Sequence, residues 1–158
     1  MRNRRIAFST PAGSHELRAG LLHSCGGTRQ HSGISFREFH SECAALLDLE
    51  SVSINTHALA ETFNTLTGGK LGFRLTPRQA SGLLRNSILP AVRAITLSAE
   101  AVLEATDDAE SRGVRGAAIY DYLHLTAARS ASAARLYTLD ISHFLAFHHP
   151  GDPEIAHP

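Results

Sequence analysis

Ala118-Ile119-Tyr120-Asp121-Tyr122-Leu123-His124-Leu125, followed by Leu136-Tyr137-Thr138-Leu139-Asp140, decides how this chain is read. The first run has helical spacing and the second reads as a short apolar strand. Asp121 lies inside the apolar helix and Asp140 at the end of the strand. A charge in such a place is costly unless it is paired or holds a metal. From Asp121 the helix descends roughly 14 Å, at about 1.5 Å for each residue. The strand from Ala134 then climbs roughly 20 Å, at about 3.3 Å for each residue. The two paths nearly cancel, so both carboxylates are expected at one edge of a sheet, the carboxyl end of its strands.

The rest of the chain extends this pattern. Phe36 to Leu49 has helical spacing, and the β-branched run Ser51 to Thr56 reads as a strand. A helix follows from about His57 to Thr67, with Thr56 available as its N-cap and Gly68-Gly69 as its end. Glu61, in the first turns of that helix, arrives at the same sheet edge. Thr76, Pro77 and Gln79 form a capping-box pattern opening a helix to about Ile88. A strand near Val92 to Leu97 comes next. Ser98 then caps a helix ending around Arg112-Gly113, and another helix runs from about Gly116 to Ser130. Asp140 can cap a short last helix through Phe147. Strands alternating with helices predict an α/β fold with a parallel or mostly parallel sheet and helices on both faces. Such folds place their sites at the carboxyl ends of the strands.

Glu61, Asp121 and Asp140 together would form a hard, oxygen-rich site, suited to Mg²⁺ or Mn²⁺ rather than zinc. Such ions activate water and clamp the oxygens of a phosphodiester. Taken singly, Asp140 reads as a helix cap and Glu61 as a solvated helix residue. Their expected convergence is what points to a cation. His124, one helical turn from Asp121, is within reach of the site, although packing or hydrogen bonding is the plainer role for it.

Composition bounds the alternatives. The chain has 158 residues, 43% hydrophobic and 19% charged, enough for one domain with a real core and too apolar for a disordered chain. No apolar run approaches the roughly 18 residues of a membrane span. The N-terminus has arginines but no signal-type apolar core, which points to the cytoplasm. Cys25 and Cys43 form no CxxC pair and read as free thiols. The net charge of zero hides an asymmetry: residues 1–37 carry six arginines and one glutamate. Residues 1–35 therefore read as an atypical basic segment, 36–147 as the domain, and 148–158 as a proline-containing tail. His148, His149 and His157 read as solvated tail residues.

His57-Ala58-Leu59-Ala60-Glu61-Thr62-Phe63-Asn64-Thr65-Leu66-Thr67 resembles the helix bearing the second acidic residue of PIN-domain nucleases, most closely the VapC-type toxins of bacterial toxin–antitoxin pairs. Gly116 to Arg129 resembles the third motif of that family, and Leu136 to Phe144 its fourth. The resemblance runs from about Phe36 to Phe147. It implies a Mg²⁺-dependent endoribonuclease (or a Mn²⁺-dependent one) on a Rossmann-like sheet. It also implies an RNA substrate, a cognate antitoxin and a homodimer. By matched position, Glu61, Asp121 and Asp140 would be catalytic and metal-site carboxylates, and Thr138 would support them by hydrogen bonding. The alternative is a non-catalytic PIN-like module that binds RNA or a protein partner.

One departure stands against the resemblance. The family begins with an apolar strand ending in Asp followed by Thr or Ser, and that Asp is a principal metal ligand. Leu17 to Cys25 occupies the expected place without an aspartate, and Glu16 is the only acid upstream. Either the first strand has diverged or the reading frame of the start is altered. The compositional change near residue 37 favours the second. With one of four carboxylates missing, weak or absent nuclease activity is expected.

Overall fold

The computed structural model describes residues 6–9, 52–69 and 74–158. The helix expected from Phe36, the segment Leu17 to Cys25, Glu16 and both cysteines lie outside the described residues. Ile6–Ser9 forms β1, and Val52–Asn55 forms β2, whose four residues are all buried. Helix α1 spans His57–Gly68. Thr56 precedes it but has helical dihedrals (φ −54°, ψ −27°), and its side chain makes no capping bond. The capping acceptor is instead Asn55, whose Oδ1 accepts from the His57 amide at 3.2 Å. Gly69 ends the helix at φ 77°, a left-handed conformation that glycine adopts without cost.

Helix α2, Pro77–Leu83, opens on the expected capping box. Thr76 Oγ1 accepts from the Gln79 amide at 3.3 Å, and Gln79 Oε1 accepts from the Thr76 amide at 2.9 Å. The chain then widens into a π turn at Leu84–Ile88 and tightens into a 3-10 turn at Leu89–Ala91, where Pro90 lacks an amide donor. Strand β3 is Arg93–Ile95. Helix α3 spans Ala99–Asp108, capped by Ser98, whose Oγ accepts from the Ala101 amide at 3.1 Å. It stops short of the expected Arg112-Gly113, and turns complete the path to Gly113. Helix α4 spans Ala118–Ser130, β4 spans Arg135–Thr138, and α5 spans Ile141–Leu145. Strand β5, Glu154–Ala156, is the last element.

The strands form one sheet in the order β3-β2-β1-β4-β5. β2 and β3 are parallel, with Ile54 opposite Ala94, and so are β4 and β5, with Leu136 opposite Ile155. β1 is antiparallel to both of its neighbours, with Phe8 opposite Ser53 and Ile6 opposite Thr138. Four strands thus point one way, and a reversed strand sits at the centre. The α/β class and the parallel pairs agree with the expected parallel or mostly parallel sheet; the antiparallel strand at its centre was not expected. The boundaries move as well. The expected 148–158 tail supplies the edge strand β5, and the segment read as an arm supplies β1.

Leu136 and Tyr137 are neighbours on β4 yet pack in different apolar clusters, so the clusters lie on opposite faces of the sheet. One gathers Leu136 with Tyr122, Leu125, Phe144 and Phe147. The other gathers Tyr137 with Val52, Ile54 and Ala58. An ion network clasps the first cluster. Asp108 accepts from Ser111 Oγ at 2.6 Å, from the Tyr122 hydroxyl at 2.5 Å and from Arg112 Nε at 3.1 Å. Those hydrogen bonds, Ser111 first, hold its carboxyl down at about 2. Arg112 also donates to Asp152, tying the approach to β5 onto α3. No helix among the described residues is long and apolar enough to cross a membrane.

Candidate functional site

β2 and β4 run in the same direction, so Asn55 and Thr138 end at one edge of the sheet. Asn55 joins two helices there. Its Nδ2 donates to the Leu123 carbonyl at 3.3 Å, and its Oδ1 holds the first amide of α1. Glu61 follows one turn into α1. Its Oε2 lies 3.2 Å from His124 Nε2 on α4, and its Oε1 lies 3.8 Å from His57 Nε2. His124 is fully buried, and its Nδ1 makes no hydrogen bond. An ionised carboxylate only accepts, so Nε2 is assigned as the N–H that faces Glu61.

Asp121, 7% exposed, lies one turn before His124 on α4. Its Oδ2 is 3.1 Å from His143 Nε2 on α5. That contact is close but lies off the hydrogen-bonding direction, and His143 Nε2 makes no hydrogen bond. Asp140 caps α5 as the sequence predicts, its Oδ1 accepting from the His143 amide at 3.3 Å and from Ser142 Oγ at 3.2 Å. The fully buried Thr138 accepts from the Asp140 amide at 3.1 Å and so fixes the turn that carries the carboxylate.

The three acids are therefore linked through two histidines, by side-chain or backbone contacts and by one step of helix spacing. Glu61 meets His124, His124 shares a helix face with Asp121, Asp121 meets His143, and the His143 backbone holds Asp140. His124 was expected within reach of the site by its spacing from Asp121; His143 and His57 were the part missed. His143 is three residues past the capping Asp140, a spacing that turns its amide onto that carboxylate. His57 is one turn before Glu61. Either spacing was available as a signal, but the partner across the gap was not.

The donors suit a hard cation in type, since all three acids offer oxygen. Their spacing does not match a formed site. Among the described residues, no three His, Cys, Asp or Glu side chains gather as a metal-ligating group. Glu61 and Asp121 face imidazoles, and Asp140 is engaged by the start of α5. The central strand, Ile6-Ala7-Phe8-Ser9, brings no acid. No family model matches the chain, and neither a curated protein nor a solved structure matches it.

Proposed function

We propose that this chain is a PIN-like, metal-dependent endoribonuclease module of VapC type, weakened by the absence of an acid on its central strand. The observation that carries the reading is the pair of contacts Glu61–His124 and Asp121–His143, set one helical turn apart on α4, with Asp140 held by the His143 amide just past the end of β4. In this reading the three carboxylates would hold Mg²⁺ or Mn²⁺, while Thr138 fixes the backbone that presents Asp140. A cation held there would supply Lewis acidity toward water and phosphate oxygen. The chain's own residues supply negative charge, a buried wall behind it and a fixed strand end. An RNA substrate, a partner antitoxin, a second copy of the chain and a cytoplasmic setting accompany the reading.

A second reading is a non-catalytic module that binds RNA or protein. What favours it is the engagement of Glu61 by His124 and of Asp121 by His143, together with the lack of a metal-ligating group among the described residues. Thermal unfolding in rising Mn²⁺ separates the two. Stabilisation that disappears in Asp121→Asn supports the cation site. No shift at millimolar Mn²⁺ sinks it and leaves the second reading. Strong Mg²⁺-dependent RNA cleavage, abolished by Glu61→Gln, would instead overturn the weakening.

A further inference from the structure

Tyr120 precedes Asp121 on α4, and His57 lies one turn before Glu61 on α1. Their rings stack with centroids 5.4 Å apart and planes 8° from parallel. His57 in turn packs tilted against the buried His124, with centroids 5.9 Å apart. The outer ring is thus backed by a second ring, which is backed by the core. Tyr120 is nevertheless 49% exposed, while Tyr122 and Tyr137 are buried. A half-open tyrosine held flat has little freedom left to lose when a ligand covers it.

We infer that the exposed side of Tyr120 is a stacking platform for an unpaired nucleobase, lodged beside the carboxylate edge. The inference rests on the phosphodiester reading above and names its substrate class, single-stranded nucleic acid. Two features of the site favour a base over other flat ligands. Any base offers a π-face, so an aromatic platform binds single strands without needing a sequence. The platform also adjoins Asp121 and Glu61 through the backbone of α4 and the first turns of α1. A base stacked on Tyr120 would therefore lie beside the carboxylate edge, where a cation between the acids and its phosphates would be needed for close approach. Paired bases are shielded within their stack, so a duplex lacks the face this ring would take.

The test is binding by the full chain in EDTA, with a short oligouridylate carrying one fluorescent purine analogue. Stacking quenches that probe. The expected result is quenching by the wild-type chain and a loss of affinity of about tenfold to a hundredfold in Tyr120→Ala. Tyr120→Phe restores binding, because the ring and not the hydroxyl does the stacking. His57→Ala weakens binding less, having removed only the backing. A deoxy version of the oligomer is expected to show the same dependence on Tyr120, since the platform reads the base they share, and tight binding of it that ignores Tyr120→Ala counts against the proposal. Wild-type affinity in Tyr120→Ala overturns the proposal, and so does equally tight, Tyr120-dependent binding of a duplex. If Tyr120→Ala does not fold, Tyr120→Leu takes its place and is judged the same way. Wild type and variants are compared in the same EDTA buffer, so the difference due to stacking is read apart from the Mn²⁺ response. Intact stacking with no Mn²⁺ response would leave the platform standing and the nuclease reading fallen.

Discussion

Asp108 collects three donors, from Ser111, Tyr122 and Arg112, and its carboxyl sits at about 2 instead of 3.8. A depressed folded value favours the ionised form, so this contribution to stability is complete above about 3.8 and disappears as pH falls through about 2. The melting temperature is therefore expected to drop between pH 4 and pH 2. In Asp108→Asn that part of the drop is missing, as thermal unfolding followed by circular dichroism across this range would show. An acid limb identical to wild type would refute the assignment. At the same scale, Asp121 and Asp140 were legible because an acid in an apolar run is locally anomalous. The histidine facing Asp121 was not. His143 carries no such anomaly, and its meaning, like the pairing of His124 with Glu61, lies in which carboxylate is across the gap, a tertiary fact. Tyr120 was hidden for the same reason, since its stacking partner is on another helix.

Asp140 is both the cap of α5 and a proposed cation ligand, and substitution separates the roles. Asp140→Asn keeps an oxygen for the His143 amide, whereas Asp140→Ala removes it. The alanine variant is expected to lose about 0.5–2 kcal/mol, measured by urea unfolding, and the asparagine variant much less. Both should lose Mn²⁺ stabilisation. If Asp140→Asn responds to Mn²⁺ like wild type, Asp140 serves only as a cap. Elements with local punctuation were readable. Thr76, Pro77 and Gln79 define the start of α2 by themselves, and Gly69 defines the end of α1. β5 was not readable, because Glu154-Ile155-Ala156 is too short to show periodicity and follows Pro150 and Pro153. The direction of β1 was equally hidden, since a four-residue run says nothing about which way its neighbours point.

Across the whole molecule, the acids on α1, on α4 and after β4 do not gather as a ligand set among the described residues, and a cation drawing them together would have to compete with His124 for Glu61 and with His143 for Asp121. Mn²⁺ at ten times its dissociation constant would add about 1.4 kcal/mol, a rise of roughly 3–6 °C in melting temperature for a domain of this size. Asp121→Asn should flatten that rise, and an undiminished response would assign the cation to some other place. The reversed centre of the sheet has a separate consequence, for the order of assembly. β1 lies between β2 and β4, with Ile6 opposite Thr138. The first of the described strands, Ile6–Ser9, therefore waits for β4, at Arg135–Thr138, before its second edge is covered. Pairings so distant in sequence are closed slowly. In stopped-flow refolding, the burial of Tyr137 on β4 should trail helix formation, and during translation the second edge of β1 stays open until β4 has emerged.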